Sequence, residues 1–301
     1  MKEAFITKRF NASSRVIIKQ ANEIIANYQA QGFTLTLRQL YYQFVSRDLI
    51  ANKQTEYKRL GSVINDARLA GQIDWNAIED RTRYLRGINT LDDPAEAIAE
   101  AARGYHEDLW ASQKFRPEVW IEKDALVGVV EPVCARWRTD FFACRGYSSQ
   151  SEQYNAGKRF ERRRRQGQTP IVFHLGDHDP SGMDMTRDNR DRLKMFARLG
   201  VKVVRLALNM DQIEQYDPPP NPAKESDSRA AGYIEEFGES SWELDALEPT
   251  VIDKLIDDAI SEYVNVALWE DAKREEEHKR GILEKASDNW DEVSDFVREL
   301  E

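Results

Sequence analysis

Apolar residues recur at helical spacing through the N-terminal part of the chain. Val16, Ile17, Ala21, Ile24, Ile25 and Tyr28 predict an amphipathic helix over 13–30, closed by Gly32. A second helix is expected from about Thr36, whose hydroxyl suits an N-cap. Its residues Leu37, Leu40, Tyr41, Phe44 and Val45 follow the i, i+3, i+4, i+7, i+8 stripe of a buried face. A third helix runs from about Thr55 to Leu69 and stops near Gly71, followed by Ile73, Trp75 and a polar stretch through Arg83. Asp92-Asp93-Pro94 opens a polar, Ala-rich helix over about 94–113, with proline placed early where a helix tolerates it.

From Pro117 the pattern changes to short apolar runs separated by helical stretches. Val119–Ile121, Phe141–Cys144, Ile171–Leu175 and Val201–Leu206 read as strands. Helices are expected between and after them at about 124–137, 150–165 and 182–199. This alternation predicts an α/β fold with a mostly parallel, doubly wound sheet. Residues 217–230 read as a Pro-rich polar loop, and the end of the chain as acidic helix. Three N-terminal helices and a short extended segment predict a winged helix-turn-helix, a module that sets a helix in a major groove. A plain helical bundle satisfies the same pattern. The expected organisation is a winged-helix domain at 1–90, a linking helix at 91–116, an α/β domain at 117–250 and an acidic helical extension at 251–301.

The net charge of −10 speaks against a nucleic-acid partner until its distribution is considered. Residues 1–75 carry 11 Lys/Arg against 6 Asp/Glu, whereas residues 243–301 carry 7 against 19. A basic front and an acidic tail are compatible with local DNA binding. No apolar run approaches the roughly 20 residues of a membrane helix, and Met1–Phe5 lacks a signal-peptide core. Cys134 and Cys144 read as reduced cytosolic thiols.

Ligands of such sheets bind beyond the carboxyl ends of the strands. Glu122 directly follows the first strand, and Asp177 and Asp179 follow the third in Gly176-Asp177-His178-Asp179-Pro180-Ser181-Gly182. Crowded carboxylates need a compensating cation, and hard oxygen ligands suit Mg²⁺, with Mn²⁺ as a substitute. Taken singly, each aspartate is more readily a turn or cap residue. The combination of a Glu after one strand and Asp-x-Asp-x-x-Gly after another is far more specific.

The second helix adds Arg38 and Tyr42, four residues apart on one face. Tyr41 belongs to the buried stripe, and Tyr42 is expected on a more exposed face. An exposed tyrosine beside an arginine is a candidate nucleophile, although a phenol with a pKa of about 10 needs activation. A tyrosine that only touches a phosphate is the plainer alternative.

The stretch from Glu122 to Gly182 resembles a Toprim domain. Arg-x-x-Tyr-Tyr in a winged helix, followed by Gly-Asp-x-Asp-Pro-x-Gly, is similar to the topoisomerase VI A subunit and the related meiotic double-strand-break transesterase. It looks most like their small stand-alone bacterial and phage relatives. The resemblance covers roughly 34–210. It implies that Asp177 and Asp179 hold Mg²⁺, that Glu122 binds metal or moves a proton, and that Tyr42 attacks DNA beside Arg38. It further implies a homodimer in which tyrosine and metal site come from different chains. The chain has no P-loop signature, so ATP-driven strand passage would call for a separate ATPase subunit of B type.

Candidate contacts to duplex DNA are Lys58, Arg59 and Arg68 on the third helix, Lys123, and Arg162 and Arg163 in the basic run 162–165. That run equally suits a solvated helix end, and Lys123 equally suits an exposed position. His174 and His178 carry little weight as ligands. Glu243 and Asp245, after the polar loop, are candidate further acids at the rim of the site. Two other readings stand beside the transesterase: a Toprim nuclease that cleaves with water, and a DNA-binding regulator without enzymatic activity.

Overall fold

The computed structural model describes residues 1–79, 90–198, 200–224 and 227–300. The N-terminal helices are α1 (Ala12–Ala30), α2 (Leu37–Ser46) and α3 (Gln54–Leu69), followed later by α4 (Pro94–Arg103). Next come β1 (Phe115–Ile121), α5 (Val127–Arg136), β2 (Asp140–Ala143), α6 (Gln150–Arg165), β3 (Thr169–Leu175), α7 (Pro180–Ala197) and β4 (Lys202–Ala207). The remainder comprises α8 (Met210–Tyr216), β5 (Asn221–Pro222), α9 (Ala230–Phe237), β6 (Ser240–Ser241), α10 (Pro249–Ser261), α11 (Val266–Asp288) and α12 (Trp290–Arg298).

The chain divides into two compact units. One takes in Met1–Thr82 and Pro117–Glu262, the other Arg83–Arg116 and Tyr263–Glu301. In the first unit, the Thr36 side chain accepts from the Gln39 N–H and the Gln39 side chain accepts from the Thr36 N–H, fixing where α2 begins. The faces of α1, α2 and α3 then bury Ile24, Tyr28, Leu40, Phe44, Leu60 and Ile64 in one core, which Ala246 also joins. Isolated bridges join Ala4 to Ala70 and Leu35 to Ile78. Among the described residues this part is helical with no strand ladder, and the expected polar stretch from residue 80 onward lies outside them.

The same unit holds a four-stranded parallel sheet, order β2-β1-β3-β4, flanked by helices. Trp120, Phe160, Val172, Leu193 and Val203 form its core on the side of α6 and α7. A Cβ at Gly157 would stand 2.4 Å from Phe196 Cβ, so glycine is what lets α6 lie this close to α7. The buried Glu118 of β1 is satisfied by both arms of Arg159, at 2.7 and 2.8 Å. Both cysteines are free and buried.

The second unit sets α4 against α11, with the Trp110 ring edge-on to Trp269 at 5.2 Å. The helix expected over 94–113 ends at Arg103, where Gly104 caps it, and the helix expected to reach residue 199 ends at Ala197. The expected polar loop after α8 contains β5, which pairs antiparallel with β6. No helix among the described residues is long and apolar enough to cross a membrane.

Candidate active site

The strands β1 and β3 are neighbours, yet the chain leaves β1 for β2 on one flank and adds β4 on the other. The connections diverge beyond the carboxyl ends of this central pair, the place where ligands of such sheets commonly bind. Glu122 follows β1, and its N–H donates to the Leu175 carbonyl at 2.9 Å. Asp177 follows β3 after Gly176, and its N–H donates to Glu122 Oε2 at 2.9 Å. Asp179 caps α7, its Oδ1 accepting from the Gly182 N–H at 2.6 Å. A Cβ at Gly182 would fall 2.2 Å from the Asp177 carbonyl oxygen, so only glycine allows the helix to start against this turn.

Glu122 and Asp177 therefore touch, and Asp179 stands near enough to raise the Glu122 pKa by repulsion. The expectation that Lys123 is exposed or free for phosphate is corrected. Its Nζ lies 3.0 Å from Asp177 Oδ2, 2.5 Å from Glu243 Oε2 and 2.9 Å from Asp245 Oδ1. Its side chain is only 16% exposed. Burial opposes the charge on Lys123, but the three carboxylates outweigh it and hold the pKa above the ordinary lysine value.

The expectation of an exposed Tyr42 is also corrected, since Tyr42 is 5% exposed, as is Tyr41. Helical geometry leaves that face open, and the distant segment Glu243–Asp245 closes it. Arg38 Nη2 donates to Tyr42 Oη at 3.1 Å and to Glu243 Oε2 at 2.7 Å, while Arg38 Nε donates to Asp245 Oδ2 at 3.1 Å. The Asp245 side chain has no exposed surface. Burial raises the Tyr42 pKa, and the charges on Asp245 and Glu243 add to the rise, so the phenol is held protonated. Lys123 and Arg38 overcome burial at Glu243 and lower its pKa to about 2.

Arg205 completes the corner. It lies on β4, is half-buried, and donates to the carbonyls of Asp177 at 2.6 Å, Gly176 at 3.1 Å and Gly182 at 2.9 Å. Burial lowers its pKa to about 10. Sequence reasoning missed it, although an arginine inside the apolar run Val203-Val204-Arg205-Leu206 was the available signal.

The corner carries more acid than internal base can balance. Burial raises the Asp177 pKa to about 7 despite Lys123, with Glu122 and Asp245 adding to the rise, and burial likewise raises Glu122. Among the described residues no three His, Cys, Asp or Glu side chains are grouped to hold a metal ion. Lys123 stands against Asp177 where such an ion would compete, and Asp179 turns one oxygen to its helix. Half-buried Glu122 and buried Asp177 are oxygen donors of the type a hard divalent cation takes, but with Lys123 on Asp177 the three acids are not gathered round one point.

Among the other expected residues, Lys58 and Arg59 are exposed on α3, with Arg59 paired to Glu56 at 2.7 Å. Arg68 is committed to Trp75, donating to its carbonyl at 2.8 Å and lying 4.7 Å from the ring centre. Arg162 is exposed and Arg163 half-buried at the end of α6. His174 and His178 are structural: the first meets Thr186 Oγ1 and the second Tyr233 Oη, each at 2.8 Å. No protein-family model matches the chain, and no curated protein matches it.

Proposed function

We propose that the chain is a Mg²⁺-dependent DNA-cleaving transesterase of Toprim and winged-helix type. The observation that carries this reading is the pair of carboxylates, Glu243 and Asp245, joining Arg38 beside Tyr42 to Lys123 beside the acid corner within one unit. Tyr42 Oη would bond to a DNA phosphorus as the bond to one sugar oxygen breaks. The phenol gives up its proton and the released sugar oxygen takes one up. Arg38, already on the hydroxyl, would stabilise the negative charge that develops there. Glu122, Asp177 and Asp179 would hold Mg²⁺, which supplies positive charge to the phosphate. Lys58, Arg59 and Arg162, exposed on α3 and α6, are the proposed contacts to the backbone of duplex DNA.

One observation favours cleavage by water instead: the Tyr42 phenol is buried and its pKa is raised. Supercoiled plasmid incubated with the protein and Mg²⁺ or Mn²⁺, then quenched in denaturant, separates the two. The transesterase gives cut DNA covalently bound to protein, and Tyr42→Phe abolishes both. Cutting without adduct, retained in Tyr42→Phe, assigns the reaction to water. Absence of cutting with either cation overturns both readings.

A further inference from the structure

Part of the basic excess of the N-terminal segment gathers around a cavity. A pocket of about 280 Å³ is lined by Lys8, Arg9, Phe10, Arg15 and Gln72. We propose that this pocket binds a phosphate group, either free phosphate or the terminal phosphate of a nucleic-acid strand. It uses none of the residues assigned to DNA cleavage, so it stands or falls separately from that reading.

The segment ahead of α1 is anchored on both sides of Lys8 and Arg9. Ala4 bridges Ala70, and the N–H groups of Phe5 and Ile6 donate to the Leu69 carbonyl at 2.8 and 3.2 Å. Trp75 Nε1 donates to the Glu3 carbonyl at 3.0 Å. Gly71 has a φ of +69°, and a Cβ there would stand 2.9 Å from Ala4, so glycine is what lets segment and turn meet. On the other side Phe10 packs against the core of α1, α2 and α3. Asn11 then caps α1, accepting from the Ser14 N–H at 2.8 Å. Asn22 Nδ2 donates to the Gln72 carbonyl at 3.1 Å, which ties that residue to α1. The backbone around the pocket is therefore in place before a ligand arrives, which lowers the cost of binding.

The charges around the pocket are unbalanced. Lys8 Nζ lies 2.6 Å from Asp66 Oδ2. Arg9 and Arg15 are exposed, and neither has an ion pair among the described residues. The first turn of α1 contains no acidic residue. Three cations against the one carboxylate leave a surplus that matches a phosphate dianion. Guanidinium forks suit phosphate oxygens, and the Gln72 amide adds an uncharged donor. A planar carboxylate ligand satisfies one arginine, whereas a tetrahedral phosphate presents oxygens to both.

Titration calorimetry of the full chain with sodium phosphate, without divalent ions and at constant ionic strength, provides the test. Saturable one-to-one binding is expected. Arg9→Gln and Arg15→Gln should each weaken it by about five-fold or more, because each removes a charged hydrogen-bond donor, and the double variant should abolish it. Lys19→Gln, exposed on α1 and outside the pocket, should leave it unchanged. Urea-unfolding midpoints equal to wild type show that the variants keep the fold. A trinucleotide with and without an end phosphate distinguishes the two sources. Binding tighter than that of phosphate alone, and lost without the end phosphate, assigns the strand end. Affinity equal to that of phosphate alone assigns free phosphate. No saturable binding of phosphate or of the end-phosphorylated trinucleotide overturns the proposal. Binding that Arg9→Gln and Arg15→Gln leave intact overturns it as well.

Discussion

Lys123→Met tests the charge arrangement most directly. Methionine keeps an unbranched apolar stem and removes the ammonium that Asp177, Glu243 and Asp245 surround at 3.0, 2.5 and 2.9 Å. Breaking a buried pair from one side costs about 3–5 kcal/mol. The low end applies, because Arg38 still meets Glu243 and Asp245. A loss of about 3 kcal/mol corresponds to a Tm lower by roughly 6–12 °C for a unit of this size. The assay is thermal unfolding at pH 8 and pH 5, with and without Mg²⁺. The loss should shrink at pH 5, where Asp177, whose pKa is about 7 even with Lys123 beside it, is protonated. Mg²⁺ should raise the Tm of the variant more than that of wild type, since a tethered competitor is gone. A change below about 2 °C at pH 8, or a loss that grows as pH falls, would refute the reasoning.

Two further outcomes follow from the same corner. The Asp177 pKa is raised from 3.8 to about 7, so its contribution to stability is complete below the unfolded value and is lost as pH rises through about 7. Asp177→Asn removes this loss, and its stability relative to wild type should improve from pH 5 to about pH 7 and level off above it in urea titrations without divalent ions; a flat difference from pH 5 to pH 7 would count against it. Gly182→Ala places a Cβ 2.2 Å from the Asp177 carbonyl oxygen and should cost about 1–3 kcal/mol in urea unfolding. Gly232→Ala, in α9 with open space around its Cβ, should gain about 0.5–1 kcal/mol, and equal effects of the two would be the wrong result.

The elements of the sheet were legible because each strand is a short apolar run and each following helix has its own periodicity. The Thr36 cap and the stripe Leu37–Val45 placed α2 by the same local logic, and the acids after β1 and β3 followed from the turns. Glu243 and Asp245 were expected at the rim of the site, and they meet Lys123 there; what escaped was the pairing that closes over α2. Arg38 meets Glu243 and Asp245 across 205 and 207 residues, and no local pattern announces that contact. The burial of Tyr42 and the commitment of Lys123 follow from it. Helix spacing gives a face but does not say what covers it. Arg205 is a different miss, since its place among apolar strand residues was visible and its role was not inferred. The linking helix expected at 91–116 turned on the same limitation: α4 has the pattern of a surface helix, while its packing partner α11 lies more than 160 residues away.

That pairing has a consequence for any shortened form of the protein. The smaller unit is assembled from an excursion in the middle of the chain and the final segment, so neither half is a detachable tail. Stopping at Glu262 would leave Trp110, fully enclosed in the intact chain, without Trp269 over it. A shortened form that keeps the larger unit alone would have to excise the excursion as well. Trimming the acidic terminus alone would leave a sticky apolar wound.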